Sequence, residues 1–147
     1  MPQLYCNATS VSIDGIGLLI EGAPKTGKSS LALSLIDEGA KLVSDDLTFL
    51  SLKNGRLYAT EPEKMKGCLF IRELGILKID RVQKDPVEIK ALIRLSENHK
   101  GFSLEREKKE IFGVELPFFH FFAFDYALTK KIKAVIKLIQ KEWELKE

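Results

Sequence analysis

The chain is poor in cysteine and in long apolar runs. Its two cysteines, Cys6 and Cys68, form no CxxC pair and no metal-ligand spacing. Two thiols are too few for a disulfide framework, so we expect both to be reduced core residues. No stretch approaches the ~18 apolar residues of a membrane span, and the first residues lack the basic start and apolar run of a secretion signal. We therefore expect a cytoplasmic protein without membrane attachment.

An excess of one charge sign is also missing. The sequence has 23 basic and 21 acidic residues, a net charge of +2, which is too balanced for a nucleic-acid-binding surface. Its 147 residues and 45% hydrophobic content suit one compact domain spanning 1–147. A separate substrate domain would not fit beside it, so we expect a substrate to dock on this domain or on a neighbouring subunit of a homo-oligomer.

Turn pairs and apolar alternation predict mostly strands. Asp14-Gly15 and Asn54-Gly55 are hairpin turns between short apolar runs. The predicted strands are 11–13, 18–21, 41–44, 47–52, 56–59, 68–71, 75–79 and 87–95, the last half-buried because apolar and polar residues alternate along it.

Two segments have helical periodicity. Residues 28–38 are apolar around most of the helix, with Gly39 as a stop, and residues 126–143 form an amphipathic helix whose apolar side ends at Trp143. The charged residues 108–110 are expected to form a mobile stretch.

The segment GAPKTGKS at residues 22–29 fits the phosphate-binding pattern GxxxxGK[ST]. Backbone N–H groups of such a loop and of the following helix N-terminus bind phosphate oxygens. Lys28 would contact the β- and γ-phosphates of a nucleoside triphosphate such as ATP, or a free phosphate, and the Ser29 hydroxyl would bind Mg²⁺. Lys25 is either an extra phosphate contact or a solvated side chain. The predicted cofactor-binding residues are Gly22, Ala23, Pro24, Lys25, Thr26, Gly27, Lys28, Ser29 and Ser30.

Asp45 and Asp46 follow the strand after the loop helix. A helix over 28–38 recedes about 15 Å from the loop at ~1.5 Å per residue, and a parallel strand of ~5 residues returns about the same distance. The pair should therefore lie beside the loop, where one carboxylate could hold Mg²⁺ and the other act as a base. The alternative is a solvated turn at a strand end. The sequence thus predicts an α/β fold, a P-loop kinase-like domain with a mixed β-sheet and flanking helices.

Three segments resemble the kinase domain of the HPr kinase/phosphorylase family. They are NATSVSIDGIGLLIEGAPKTGKSSLALSLIDEGAKLVSDD, MKGCLFIRELGILKI and FGVELPFF, and the likeness is greatest to short members that consist of this domain alone. Longer members transfer phosphate from ATP or pyrophosphate to a serine of the carrier protein HPr, can remove it with inorganic phosphate, and form hexamers. The resemblance implies that Lys28 and Ser29 hold phosphate and metal, that Asp45 is the base, and that Asp46 helps to hold the metal.

The chain departs from the family pattern near this chemistry. Asn7 stands where the family pattern has a histidine, Phe70 where it has a glutamate, and Glu73 where it has a glycine, while the arginine is kept as Arg72. The resemblance implies that the histidine and the glutamate belong to the phosphate and metal site and that Arg72 is catalytic. Glu73 could supply the missing carboxylate, although strand alternation would place it on the face opposite Phe70.

Two functions remain open from the sequence. The first is an ATP-dependent, possibly reversible serine kinase acting on an HPr-like phosphocarrier. The second is a non-catalytic nucleotide- or phosphate-binding regulator on the same fold, suggested by the departures at Asn7 and Phe70. A small-molecule kinase or GTPase lacks support, because the sequence has no NKxD guanine-recognition run.

Overall fold

The structure, a computed structural model, describes residues 3–63, 66–98 and 107–146. Helix α1 spans Lys28–Asp37 and helix α2 spans Leu128–Ile139. No helix in these ranges is long and apolar enough to cross a membrane. The strands are β1 (Gln3–Cys6), β2 (Thr9–Ile13), β3 (Ile16–Gly22), β4 (Lys41–Ser44), β5 (Thr48–Lys53), β6 (Arg56–Thr60), β7 (Cys68–Ile71), β8 (Gly75–Lys78), β9 (Val87–Ser96), β10 (Glu107–Ile111) and β11 (Val114–Phe122).

Nine of these strands form one mixed sheet. Its central order is β4, β2, β3, β9, with β9 parallel to both β3 and β11 and with antiparallel pairing elsewhere. The edge of β9 that faces away from β3 is shared: its first residues pair with β6 and its last with β11. β6 continues to β5 and β1, and β11 pairs with β10. The predicted α/β fold with a mixed sheet is confirmed.

The two faces of the sheet are covered differently. Both helices pack on one face, where Leu35 and Ile132 meet strand residues such as Leu18 and Ile20. The next residue of β3, Leu19, points to the opposite face and joins a second core that contains only strand and loop residues. The predicted flanking helices therefore cover one face of the sheet.

Strand β9 is confirmed, but it is not half-buried as its alternation predicted. Its pairing with β3 shifts by one residue between Ile89 and Ala91, which is a bulge at Lys90. Because side-chain direction alternates along a strand, the extra residue sends Ile89 into the second core and Ala91 into the helix-covered core. Leu92, on the other side from Ala91, is buried as well. Strand β9 is therefore a central strand that is covered on both faces.

Helix α2 is shorter than the pattern over 126–143 predicted. It ends at Ile139, and Lys141, with a φ of 61°, turns the chain out of the helical path. Trp143 is consequently 58% exposed rather than part of the core, with the Lys137 ammonium 5.9 Å from its ring centroid. By contrast, α1 ends just before Gly39 as predicted.

Three strands and the burial of the cysteines differ from the predictions. The charged residues 108–110 lie in β10 rather than in a mobile stretch, and β1 and β11 were not predicted as strands. Charged side chains are tolerated in β10 because, among the described strands, it pairs only with β11 and leaves its other edge open. Cys6 and Cys68 are free thiols as expected, but both are only partly buried.

The hairpin of β7 and β8 stands apart from the large sheet. Leu69 and Ile71 are buried in the helix-covered core, so one side of the hairpin packs against the domain. Phe70 and its cross-strand neighbour Ile76 are 57% and 73% exposed on the other side.

Candidate active site

The predicted phosphate loop connects β3 to α1. Gly27 is the N-cap of α1 with a φ of 88°, a backbone conformation that favours glycine. A Cβ on Gly22 would lie 2.6 Å from the Thr26 hydroxyl oxygen and 2.7 Å from the Leu95 carbonyl oxygen, so this position also requires glycine. The Thr26 hydroxyl donates to the carbonyl oxygen of Ala23 at 2.8 Å and closes the turn. No side chain caps the start of α1, which leaves its first N–H groups available to an anion.

Lys28 is held across the mouth of this loop. Its ammonium donates to the carbonyl oxygen of Gly22 at 3.1 Å and lies 3.9 Å from Oδ1 of Asp46. Its side chain is only 12% exposed, so it also contributes packing to the loop.

Lys25 is the one lysine of the loop with unusual backbone geometry. Its φ is 68°, in the left-handed region that costs a side-chain-bearing residue roughly 1–2 kcal/mol. Its side chain is exposed, as are the neighbouring residues Ala23 and Pro24 and, in the first turn of α1, Ser30.

Asp45 returns to the loop as the chain path predicted. It is 6% exposed, and its Oδ1 accepts hydrogen bonds from the hydroxyls of Ser29 at 2.8 Å and Thr9 at 3.1 Å. Its Oδ2 accepts the backbone N–H of Phe70 at 3.0 Å. The carboxylate therefore joins helix α1, strand β2 and the β7–β8 hairpin at one point. A carboxylate has about four lone-pair sites, so one remains for a substrate.

Asp46 is the exposed member of the pair. Its side chain is 77% exposed, and its φ of 68° is one that aspartate tolerates better than most residues. Its backbone N–H donates to the Thr9 hydroxyl at 3.1 Å. The pair is thus divided into a buried, hydrogen-bonded carboxylate and a solvent-facing carboxylate beside Lys28.

The hairpin brings Phe70 to the site, but it does so through the main chain. The Phe70 side chain is exposed, while its N–H holds Asp45. Arg72 and Glu73 lie in the turn between β7 and β8, where both are exposed. Within the described residues, neither makes a hydrogen bond or ion pair with the loop or with the aspartates. Because Glu73 is in a turn, the expectation that strand alternation sets its direction was wrong.

A cleft of about 580 Å³ opens beside the first residues of the loop, next to the end of β9. It is lined by the first loop residues together with Asn7, Glu21, Arg94 and Ser96. Arg94 donates to Oε1 of Glu21 at 3.1 Å, and the Ser96 hydroxyl lies 2.7 Å from Nε2 of His120. The sequence did not single out Glu21, Arg94 or Ser96, because the pairing of β3 with β9 that brings them together was not predictable from local pattern.

One thiol lies next to this cleft. Burial raises the pKa of Cys6 above its ordinary value, and the carboxylate charge of Glu21 raises it further. At neutral pH the thiol is therefore protonated and unreactive.

The residues at the loop mouth fit a magnesium ion. Ser29, Asp45 and Asp46 offer hydroxyl and carboxylate oxygens, and Mg²⁺ is usually held by one or two carboxylates together with substrate phosphates. No group of three or more His, Cys, Asp or Glu residues that could hold a metal without a substrate occurs in the described part of the chain.

Comparison with known proteins agrees with this geometry. Residues 1–147 match the family described as HPr Serine kinase C-terminal domain. The chain is 31% identical over 124 residues to the HPr kinase/phosphorylase of Chloroherpeton thalassium, and 29% identical over 126 residues to that of Malacoplasma penetrans. These matches cover 77% and 78% of this chain but only 36% and 42% of the relatives, so the chain spans about two fifths of their length.

A solved structure matches more completely. The Hpr(Ser) kinase/phosphatase of Coxiella burnetii superposes with a TM-score of 0.83 at 28% identity, over 95% of this chain and 97% of that one. The family expected from the loop and the aspartate pair is confirmed: the chain belongs to the HPr Serine kinase C-terminal domain family.

Proposed function

We propose that this protein is an ATP- and Mg²⁺-dependent serine kinase that acts on an HPr-like phosphocarrier. The observation that carries the proposal is the 2.8 Å hydrogen bond between the Ser29 hydroxyl and Asp45. It joins the phosphate loop to a buried carboxylate, and this combination suits phosphoryl transfer better than phosphate binding alone.

The loop residues would bind and orient the phosphates. The backbone around Gly27 and the N-terminus of α1 supply N–H donors, and Lys28 supplies a charge already positioned over the loop. Lys25 adds a second ammonium at the rim. Ser29 and Asp46 would hold Mg²⁺, which when bound offsets phosphate charge.

Asp45 is proposed as the base. As the carrier's serine oxygen bonds to the γ-phosphorus, its proton passes to the remaining lone pair of Asp45, and the bond to the β–γ bridging oxygen breaks to release ADP. The hydrogen bonds from Ser29, Thr9 and Phe70 keep this carboxylate in place. Arg72, in the turn of the adjoining hairpin, is proposed to add positive charge on the side where the carrier approaches.

The test is incubation with γ-labelled ATP, Mg²⁺ and purified HPr, followed by detection of phosphoserine on the carrier. Transfer that disappears in Asp45→Asn but not in an exposed control such as Asp80→Asn is the expected result. Dephosphorylation of the labelled carrier by inorganic phosphate tests the reverse reaction, and light scattering tests the homo-oligomer, for which the family suggests a hexamer.

A non-catalytic nucleotide-binding regulator is the second candidate. The exposed Phe70 side chain favours it, because an apolar ring stands where the family resemblance implies a site carboxylate. Mg²⁺-dependent ATP binding without transfer to HPr would select this second function.

A further inference from the structure

Thr9, the first residue of β2, contacts both aspartates of the site. It is fully buried, and its hydroxyl has two partners. It donates to Oδ1 of Asp45 at 3.1 Å and accepts the backbone N–H of Asp46 at 3.1 Å. The Thr9 hydroxyl therefore donates one hydrogen bond to the buried Asp45 carboxylate and accepts another from the backbone of Asp46.

The two hydrogen bonds of Thr9 can fix the orientation of Asp45 and Asp46, which the aspartates cannot hold alone. Asp46 has a left-handed backbone, and its side chain is solvent-facing, so its direction depends on how its peptide N–H is anchored. Thr9 is a suitable anchor because a β-branched side chain has few χ1 rotamers and β2 pairs on both sides, with β3 and with β4.

We propose that Thr9 is a positioning residue for phosphoryl transfer, which sets the Asp45 carboxylate and the Asp46 backbone relative to the phosphate loop through its hydroxyl. The role rests on the proposed kinase function. Thr9 touches neither nucleotide nor carrier in this assignment and acts only through the two aspartates.

The chain offers a matched control for this role. Thr48 is also fully buried, and its hydroxyl also has two partners, donating to the carbonyl oxygen of Ala8 at 2.9 Å and lying 2.8 Å from the Ser10 hydroxyl. Neither of these two hydrogen bonds involves Asp45 or Asp46. Thr9→Val and Thr48→Val thus remove the same group from similar surroundings, and Thr9→Ser restores the hydroxyl without the methyl group.

The experiment measures kcat and KM for ATP in transfer to HPr, together with Tm. Hydrogen bonds to a charged group are strong enough that losing the bond to Asp45 should lower kcat about tenfold in Thr9→Val, and the loss of the Asp46 anchor should raise KM for Mg²⁺-ATP by up to a similar factor. Thr9→Ser should recover most of that loss, and Thr48→Val should lower Tm similarly without lowering kcat. An equal fall of kcat in both valine variants, or no recovery in Thr9→Ser, would overturn the role. If Thr9→Val does not fold, Thr9→Ala takes its place under the same criteria.

A second measurement separates this inference from the kinase proposal. Calorimetry compares ATP affinity with and without Mg²⁺ and needs no carrier. Thr9→Val should lose about tenfold of the Mg²⁺-dependent gain in affinity while keeping its affinity without Mg²⁺. If wild type binds Mg²⁺-ATP but transfers nothing to HPr, the kinase proposal fails, whereas the loss in Thr9→Val still shows that Thr9 positions Asp46 for Mg²⁺ binding. An unchanged Mg²⁺ dependence, or a wild type that does not bind ATP, removes the role of Thr9.

Discussion

Replacing Lys25 by glycine should make the fold more stable and the phosphate site weaker. Lys25 has a φ of 68°, and relieving the left-handed strain of a side-chain-bearing residue is worth roughly 1–2 kcal/mol. Glycine loses more backbone entropy on folding, which offsets ~0.5–1 kcal/mol of that gain. We expect a net rise of about 0.7 kcal/mol, within bounds of about 0 and 1.5 kcal/mol, in the free energy of unfolding, or roughly 2 °C in Tm.

Binding should change in the opposite direction. An exposed ammonium beside bound phosphates contributes about 1 kcal/mol after solvent screening, so ATP affinity should fall about fivefold. The loss should shrink as salt rises, since exposed charges are screened over ~8 Å at physiological ionic strength.

Lys141 provides the control. It is the same residue type with a φ of 61°, just after α2 and outside the phosphate loop. Lys141→Gly should raise Tm by a similar amount and leave ATP affinity unchanged. Differential scanning calorimetry and isothermal titration on both variants complete the test. A Tm that falls in Lys25→Gly refutes the strain argument, and an unchanged ATP affinity refutes the phosphate contact.

Four further substitutions test the site and the cleft beside it. Lys28→Ala should abolish the ATP binding that calorimetry measures, and unchanged affinity would contradict the assignment of the phosphate loop. Because the Lys28 side chain is largely buried, the same change should lower the free energy of unfolding by about 1 kcal/mol. Asp45→Asn should slow phosphate transfer to HPr ~10²- to 10⁴-fold with little effect on ATP binding. Asp46→Asn should mainly weaken the Mg²⁺ dependence of ATP binding. The reverse pattern would mean that Asp46 is the base and Asp45 the metal ligand. Glu21→Gln should lower the raised pKa of Cys6, because it removes a nearby negative charge. Iodoacetamide should then label Cys6 faster at pH 8, measured in a background that lacks the other cysteine. An unchanged labelling rate would show that the Glu21 charge does not affect the Cys6 thiol.

Turn chemistry allowed much of the fold to be predicted from sequence. Asp14-Gly15 and Asn54-Gly55 both have two successive positive φ values, as two-residue hairpin turns of the predicted kind require. These signals are local, since four residues decide the turn and the turn then fixes the pairing of its flanking strands.

The missed strands depend on partners distant in sequence. β1 forms by pairing with β5, and β11 forms by pairing with both β9 and β10. The phenylalanine-rich β11 lacks alternation, and β10 is highly charged, so neither shows the period of a strand facing one core. The bulge at Lys90 was hidden for the same reason, because only the pairing with β3 reveals it.

The site was predictable where chain geometry determines it. Counting residues out along α1 and back along β4 placed Asp45 beside Ser29, and the two are hydrogen-bonded. The other partners of Asp45 were not predictable, since Thr9 is 36 residues away and Phe70 is 25 residues away in sequence. Such contacts follow from the packing of β2 and of the β7–β8 hairpin, which no local pattern specifies.

The position of Phe70 shows why a departure from the family pattern need not dismantle the site. A carboxylate lost at this position would remove a charged ligand, and the sequence alone suggests a disabled centre. In the structure the Phe70 side chain is exposed, and it is the main-chain N–H of Phe70 that donates a hydrogen bond to Asp45. A main-chain donor is present at every residue except proline, and the buried neighbours Leu69 and Ile71 keep the strand in place. The phenylalanine at position 70 is therefore compatible with an intact Asp45 carboxylate and with its hydrogen bond to Ser29.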